Sequence, residues 1–322
     1  MLAVFAESTD AENPLSGLVV GERPDPRGEP GWTTVHVKAA ALNHHDVWSL
    51  RGVGLPDERL PMTLGCDAAG LDEDGNEVVV HAVISDPDWQ GDETLDPRRS
   101  LLSERYQGVL AERVVVPRRN VVAKPASLSF EQAACLPTAW LTAYRMLFTQ
   151  GRLRPGDSVL VQGAGGGVST ALISLASAAG LRVFATSRNE SKRARALDLG
   201  AHEAVAPGAR LPERVHAVME TVGAATWRHS MTSLRPGGTL VISGATSGAA
   251  PDDAQLTRLF FLQLRVQGST MGTRDELEAL VQMLDLTGAR PVIDRVLPIG
   301  DAREGFSAMI AGDLFGKVVF TL

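Results

Sequence analysis

The stretch Asp157-Ser-Val-Leu-Val-Gln-Gly-Ala-Gly-Gly-Gly-Val-Ser-Thr-Ala-Leu-Ile-Ser-Leu-Ala-Ser-Ala-Ala-Gly180 reads as a buried strand, a glycine turn and a helix. Ser158 to Gln162 is a short apolar run of the kind a central parallel strand shows, and Val168, Leu172, Leu175, Ala176 and Ala179 recur at helical spacing. Between them stand Gly163, Gly165, Gly166 and Gly167. Such a turn lets main chain approach a pyrophosphate and aims the free N–H groups of the next helix at its oxygens. No register completes G-x-G-x-x-G, because the last position falls on Val168, Ser169 or Thr170. Context carries the reading: a second strand, Leu181 to Thr186, begins about 20 residues beyond the turn, as a dinucleotide site requires.

The end of that second strand selects the cofactor. An NAD site places Asp or Glu there for the ribose 2'-hydroxyl, and a carboxylate repels a 2'-phosphate. Here Ser187 takes the acid's place, Arg188 follows, and Lys192 lies one helical turn on. Hydroxyl, guanidinium and ammonium all bind phosphate, so the expected cofactor is NADPH. Solvated charge at a helix start is the competing reading of the same residues, given Arg193 and Arg195 nearby.

Working outward, 322 residues suffice for two domains, and 44% hydrophobic with 21% charged residues is the composition of a globular chain. A net charge of −7 argues against nucleic acid or an anionic membrane as partner, since both need a basic face. Residues 158 to 181 carry no charge, but their glycines and hydroxyl residues fit strand, turn and helix better than a membrane span. The start, Met1 to Glu7, lacks the basic and apolar regions of a secretion signal, and Cys66 and Cys135 make no disulfide framework, so a cytoplasmic protein is expected.

Residues 1 to 122 alternate short β-rich segments with proline and glycine turns: Leu2 to Ala6, Leu18 to Glu22, Thr33 to Ala39, Glu77 to Ile84 and Leu110 to Val116. They suggest an antiparallel, barrel-like domain with a polar surface loop from Ser85 to Arg99. Ser129 and Gln132 have capping-box spacing, and a helix is read over Ala139 to Phe148. Strands and helices then alternate as in a parallel sheet, through Ala217 to Glu220, Thr239 to Ser243 and Arg265 to Ser269. A helix from Arg274 and a strand over Lys317 to Thr321 return to the first domain. The expected fold is α/β: residues 1–124 a barrel-like β domain, 125–270 a doubly wound parallel-sheet domain, and 271–322 the return.

Several islands share one likeness in order: Ala40-Ala-Leu-Asn-His-His-Asp46, Leu64-Gly-Cys-Asp-Ala-Ala-Gly70, Gly108-Val-Leu-Ala-Glu112, Ala164-Gly-Gly-Gly-Val-Ser169, Glu220-Thr-Val-Gly223, Leu234-Arg-Pro-Gly-Gly238 and Gly316-Lys-Val318. With these the chain resembles the medium-chain dehydrogenase/reductase superfamily, and within it the zinc-independent quinone oxidoreductase branch. The resemblance implies a GroES-like catalytic domain, a Rossmann domain and an active site in the cleft between them. It puts Asn43, Cys66 and Ala134 where zinc enzymes keep Cys, His and Cys, and a single soft ligand cannot hold tetrahedral zinc. Neither a catalytic nor a structural zinc is expected. Ser169 and Ser174 depart from the quinone reductase signature, which weakens the likeness to that branch.

The resemblance also supplies candidate roles. Asn43 would donate to the substrate oxygen and His45 would act as acid, at the place of a hydroxyl relay. His44, Thr142, Gly166, Gly167, Val168, Val222, Ser243, Gly244, Ala245, Thr246, Ser269, Thr270, Met271 and Lys317 would contact cofactor, joining Ser187, Arg188 and Lys192. Trp48, Trp140, Phe260 and Phe261 are candidate substrate walls, with ordinary core packing as the competing reading. The edge near Leu264 to Ser269 would pair in a homodimer. The expected activity is NADPH-dependent hydride transfer to a quinone or α,β-unsaturated carbonyl; zinc-free alcohol/ketone chemistry and an NADPH-binding sensor or scaffold are the alternatives.

Overall fold

The computed structural model describes residues 1–322, divided into two compact units: Met1–Leu141 with Met271–Leu322, and Thr142–Thr270. No helix is long and apolar enough to cross a membrane.

In the first unit the main sheet is ordered Val121–Ala123, Glu77–Val80, Asp67–Leu71, Trp32–Ala41, Lys317–Thr321 and Ile293–Pro298, with Arg113–Pro117 pairing the outer half of Trp32–Ala41. A three-stranded sheet (Leu18–Glu22, Leu2–Ala6, Met62–Thr63) and a two-stranded one (Val83–Ile84, Ser100–Leu101) complete it. Strand pairing does not close into a ring. The segment read as one strand, Glu77 to Ile84, is two short strands in different sheets. The Ser85 to Arg99 loop contains a short helical turn, Glu93–Leu95, and is anchored by the fully buried Asp96, which accepts from the amides of Asp86 and Arg98. One core holds Val4, Val35, Leu42, Leu64 and Val80 together with Phe306 and Phe320, so the C-terminal segment is integral to this unit.

Two pairings fix the part of this unit that matters most. Strand Lys317–Thr321 runs antiparallel to Trp32–Ala41 with Val319 opposite Ala41. The ladder continues, Leu42 N–H donating to Val318 O, which brings Lys317 level with Asn43. On the other side, Asp67 lies opposite Ala41. Three strands therefore converge on the residues just before helix His44–Leu50.

The second unit is a six-stranded parallel sheet ordered Glu203–Val205, Arg182–Thr186, Ser158–Val161, Val215–Glu220, Leu234–Ile242 and Arg265–Gly268. Chain order reverses between Ser158–Val161 and Val215–Glu220, the switch point at which doubly wound sheets bind ligands beyond their strand ends. Leu160, Phe184, Val218, Leu240 and Met231 form its core.

Candidate active site

Strand Ser158–Val161 ends at Gln162, and the chain turns through Gly163 (φ 74°) and Gly165 (φ 138°) into helix Gly167–Ala178. A β-carbon on Gly163 would lie 2.7 Å from Val222 Cγ2, so the turn needs glycine for both conformation and space. Ser169, where the motif expects glycine, is buried and integrated: its hydroxyl accepts from Gly165 N–H at 3.2 Å and donates to Gly166 O at 3.0 Å. Gly166, the N-cap of this helix, supplies no side chain to satisfy the first N–H groups, which leaves donors of the kind that bind phosphate.

Beside this turn lies a cavity of about 410 Å³ lined by Gly163, Ala164, Thr186, Ser187, Arg188, Asn189 and Lys192 on one side and Val222, Thr226, Thr246 and Ser247 on the other. Ser187 is buried and Arg188 exposed. No carboxylate lines the cavity. Its walls are braced from below. Thr186 Oγ1 accepts from Gly163 N–H (3.1 Å) and donates to Gln162 Oε1 (2.7 Å), while Gln162 Nε2 donates to Ser230 Oγ (3.0 Å). Ser230 in turn donates to Glu220 Oε2 (2.6 Å), and Glu220 Oε1 accepts from Val222 and Gly223 N–H at 2.7 and 3.1 Å. One polar chain thus joins the glycine turn to the opposite wall.

In the first unit, Lys317 is 2% exposed, and its ammonium donates to Asn43 Oδ1 at 2.6 Å, Leu42 O at 2.8 Å and Asp67 Oδ2 at 3.0 Å. Asn43 Nδ2 makes only a long contact, 3.4 Å, with Ala41 O. Asp46 carries the main chain here, accepting from Asn43 and Gly65 N–H at 2.8 and 3.0 Å. His45 Nε2 lies 3.1 Å from Glu104 Oε1, and its Nδ1 lies 3.5 Å from both Cys66 Sγ and Ser103 Oγ. Charge on Cys66, which acts only while that thiol is ionised, is the largest influence raising the His45 pKa; Asp46 and Glu104 add to it, and burial opposes it. Burial lowers that of His44, aided by the Lys317 charge.

Comparison with known proteins places this arrangement. Residues 29–126 match the alcohol dehydrogenase GroES-like domain and residues 167–285 the zinc-binding dehydrogenase family. A solved NAD-dependent alcohol dehydrogenase is 35% identical and superposes with a TM-score of 0.92, each chain covered completely. The chain belongs to the medium-chain dehydrogenase/reductase superfamily. Its members are oxidoreductases. A zinc-type alcohol dehydrogenase-like protein of Schizosaccharomyces pombe is 29% identical, covering 91% of each chain. The acryloyl-coenzyme A reductase of Sulfurisphaera tokodaii is 27% identical over 95% of this chain and 97% of its own.

Zinc is implied by this superfamily, and the donor atoms around Asn43 and Cys66 decide whether it fits. Asn43 Oδ1 already receives an ammonium, whose charge would oppose a dication at the same oxygen. The Cys66 thiol donates to Leu102 O at 3.1 Å, Ala134 has no donor atom, and the fully buried Cys135 donates to Glu131 O at 3.2 Å. Ligand atoms of His45, Asp46 and Cys66 lie within 4.8 Å of one another, but both Asp46 oxygens are taken by backbone N–H groups. This set does not fit a tetrahedral zinc centre.

The dinucleotide side fits better. Of the residues expected to touch cofactor, Ser187, Arg188, Lys192, Val222 and Thr246 line the one cavity, with Gly166, Gly167 and Val168 at the start of the adjoining helix. Ser243 donates to Met146 Sδ at 3.0 Å, and the Gly244 to Thr246 turn packs on Thr221, a β-carbon at Gly244 lying 3.1 Å from Thr221 O. Ser269 has a buried hydroxyl with no protein partner, and Thr142 and Thr270 also belong to this unit. His44, Met271 and Lys317 belong to the other; Met271 packs with Cys66, Ala82 and Val83. All three Lys317 N–H groups are used within its own unit, which leaves none for the cofactor contact expected of it. Trp140 is completely buried, as core rather than as wall. Trp48 is exposed beneath the Arg51 guanidinium, and Phe260 and Phe261 are exposed on the second unit. The residues given no role from sequence are Gln162, Glu220, Asp67, Ser103 and Glu104; Gln162, Asp67, Ser103 and Glu104 join the site through bonds to residues distant in sequence, and Glu220 through Ser230.

Proposed function

We propose that this chain is an NADPH-dependent, zinc-independent reductase that transfers hydride to a quinone or to an α,β-unsaturated carbonyl such as an enone or enoyl compound. The observation that carries this reading is the cavity at the end of strand Arg182–Thr186, lined by Ser187, Arg188 and Lys192 and by no carboxylate. A 2'-phosphate suits that lining and a bare ribose diol does not. The reduced nicotinamide, when bound, supplies the hydride. Asn43 donates Nδ2–H to the carbonyl oxygen as charge builds there. His45, whose Nε2 lies 3.1 Å from Glu104 Oε1 and whose pKa is raised, serves as the acid. The similarity to an acryloyl-coenzyme A reductase favours enoyl thioesters among the substrates.

Similarity to alcohol dehydrogenases supports a second reading, reversible carbonyl reduction without metal. Product analysis separates the two, since the first gives a hydroquinone or a saturated carbonyl and the second converts an isolated ketone to its alcohol. The test is NADPH oxidation over a panel of quinones, enones, enoyl thioesters and ketones, with metal analysis of the same sample and Asn43→Ala as control. Binding of NADPH without oxidation by any of them would leave a sensor or scaffold.

A homodimer forms part of the proposal. Edge strand Arg265–Gly268 is exposed throughout, beside Phe260 and Phe261 at 69% and 77% exposure. A second copy pairing along this edge would cover both. Light scattering of wild type and Val266→Pro tests it: a dimer that the substitution splits is expected, and a wild-type monomer refutes it. Two buried free thiols suit a cytoplasmic setting.

A further inference from the structure

Lys317 is the one buried lysine whose ammonium meets a residue assigned here to the reaction. It reaches Asn43 because strand register brings positions 274 apart in sequence to the same level. Of its three bonds the shortest is to Asn43 Oδ1, at 2.6 Å; the carboxylate of Asp67 lies farther, at 3.0 Å. Asp67 is 0% exposed, and its Oδ1 has no partner. A lysine present only to neutralise Asp67 would satisfy that carboxylate; instead the carboxylate is left half-paired and the ammonium is turned to the amide.

We propose that Lys317 is a positioning residue that gives the metal-free centre its positive charge, acting through Asn43. By donating to Oδ1 it fixes which end of the amide is oxygen and leaves Nδ2, whose protein contact is the long one to Ala41 O, as the donor end. It also polarises the amide: density drawn toward Oδ1 leaves the Nδ2–H groups better donors, as happens along any chain of hydrogen bonds. Charge on the substrate oxygen is then met by a charge-assisted N–H instead of a neutral one. Lys317 transfers no proton in this scheme and touches no substrate. The inference rests on the reductase reading above and deepens it.

The test uses two charge-free replacements of the pair in the full-length chain, Lys317→Gln with Asp67→Asn and Lys317→Met with Asp67→Leu, so that neither leaves a buried ion alone. In whichever folds, by circular dichroism and melting, kcat is expected to fall about 10- to 100-fold with KM and NADPH affinity within about twofold. Added to Asn43→Ala, the same replacement should cost no further kcat, because its effect runs through that amide. Retention of kcat in a folded replacement, or a full additional loss on Asn43→Ala, would overturn the proposal. So would failure of both replacements to fold, which would make the pair a requirement of the fold, or stoichiometric zinc in the wild type. A wild type that binds NADPH but reduces nothing in the panel defeats the reductase reading first, before any variant is compared, and takes this inference with it.

Discussion

Replacing Arg188 by alanine tests the cofactor assignment at its most exposed point. Arg188 borders the cavity with Ser187 and Lys192, and its side chain stands in solvent. A hydrogen bond to a charged group contributes about 1.5–3 kcal/mol in sheltered surroundings. Exposure and screening reduce that, so about 1–2 kcal/mol is the reasonable expectation here, or roughly 5- to 30-fold in affinity. The loss should fall on NADPH alone, because an unphosphorylated ribose offers Arg188 no dianion. Nicotinamide fluorescence titrations of NADPH and NADH, at low and at moderate salt, read this directly. Wild type should prefer NADPH, Arg188→Ala should shrink the preference by that factor, and added salt should narrow the gap between the proteins. Ser187→Asp should go further and favour NADH, by restoring an acceptor for the ribose hydroxyl while repelling phosphate. Equal weakening of both cofactors by Arg188→Ala, or equal affinity of wild type for both, would refute the reasoning. The outcome is not fixed by kinship, since the 35% identical relative is an NAD-dependent enzyme.

Gly163→Ala, at φ 74° and with a β-carbon 2.7 Å from Val222 Cγ2, should destabilise by about 1–3 kcal/mol and weaken cofactor binding; melting and titration of the same sample check both. Glu220→Gln places an amide N–H₂ among the donors of Val222, Gly223, Thr226 and Ser230, so a loss of about 1–3 kcal/mol is expected by melting, with weaker NADPH binding as the cavity wall loosens. Burial pushes the Cys135 thiol up to about 12 and raises that of Cys66; neither should react with a thiol reagent near neutral pH until denaturant is added, whereupon both should. The His45 pKa is raised from its ordinary 6.5, so the loss of kcat/KM as the acid deprotonates should be centred above that value, and an inflection at or below it would assign the acid elsewhere.

The dinucleotide half was legible because its signals are local. An apolar strand, a turn that only glycine can make and a helix follow one another within the span Ser158 to Ala178, and the missing acid at Ser187 is a one-residue observation. The broken third glycine was harder to judge, since only the structure shows the Ser169 hydroxyl bonding into the turn. The first unit was less legible. Strand Asp67–Leu71, Asp-Ala-Ala-Gly-Leu, has little β preference, and it forms because it pairs on both sides, with Trp32–Ala41 and Glu77–Val80. Strand Ile293–Pro298 and helix Ala302–Ala311 likewise owe their place to the core they share with the N-terminal segments.

The position of Lys317 is the sharpest case. Nothing around it in sequence distinguishes a lysine that reaches toward a cofactor from one that turns inward, and the family likeness suggested the former. Register decides. With Val319 opposite Ala41, Lys317 falls level with Asn43, and Asp67 arrives from the neighbouring strand opposite Ala41. A slip of one residue would put the ammonium on the other face of the sheet. The residues around Asn43 are therefore set by backbone pairing over long sequence separation. The ammonium between Asn43 and Asp67 is held by that pairing rather than by any local signal, and a charge-free replacement of Lys317 and Asp67 removes the charge while leaving the register intact, which discriminates between a structural ion pair and a working one.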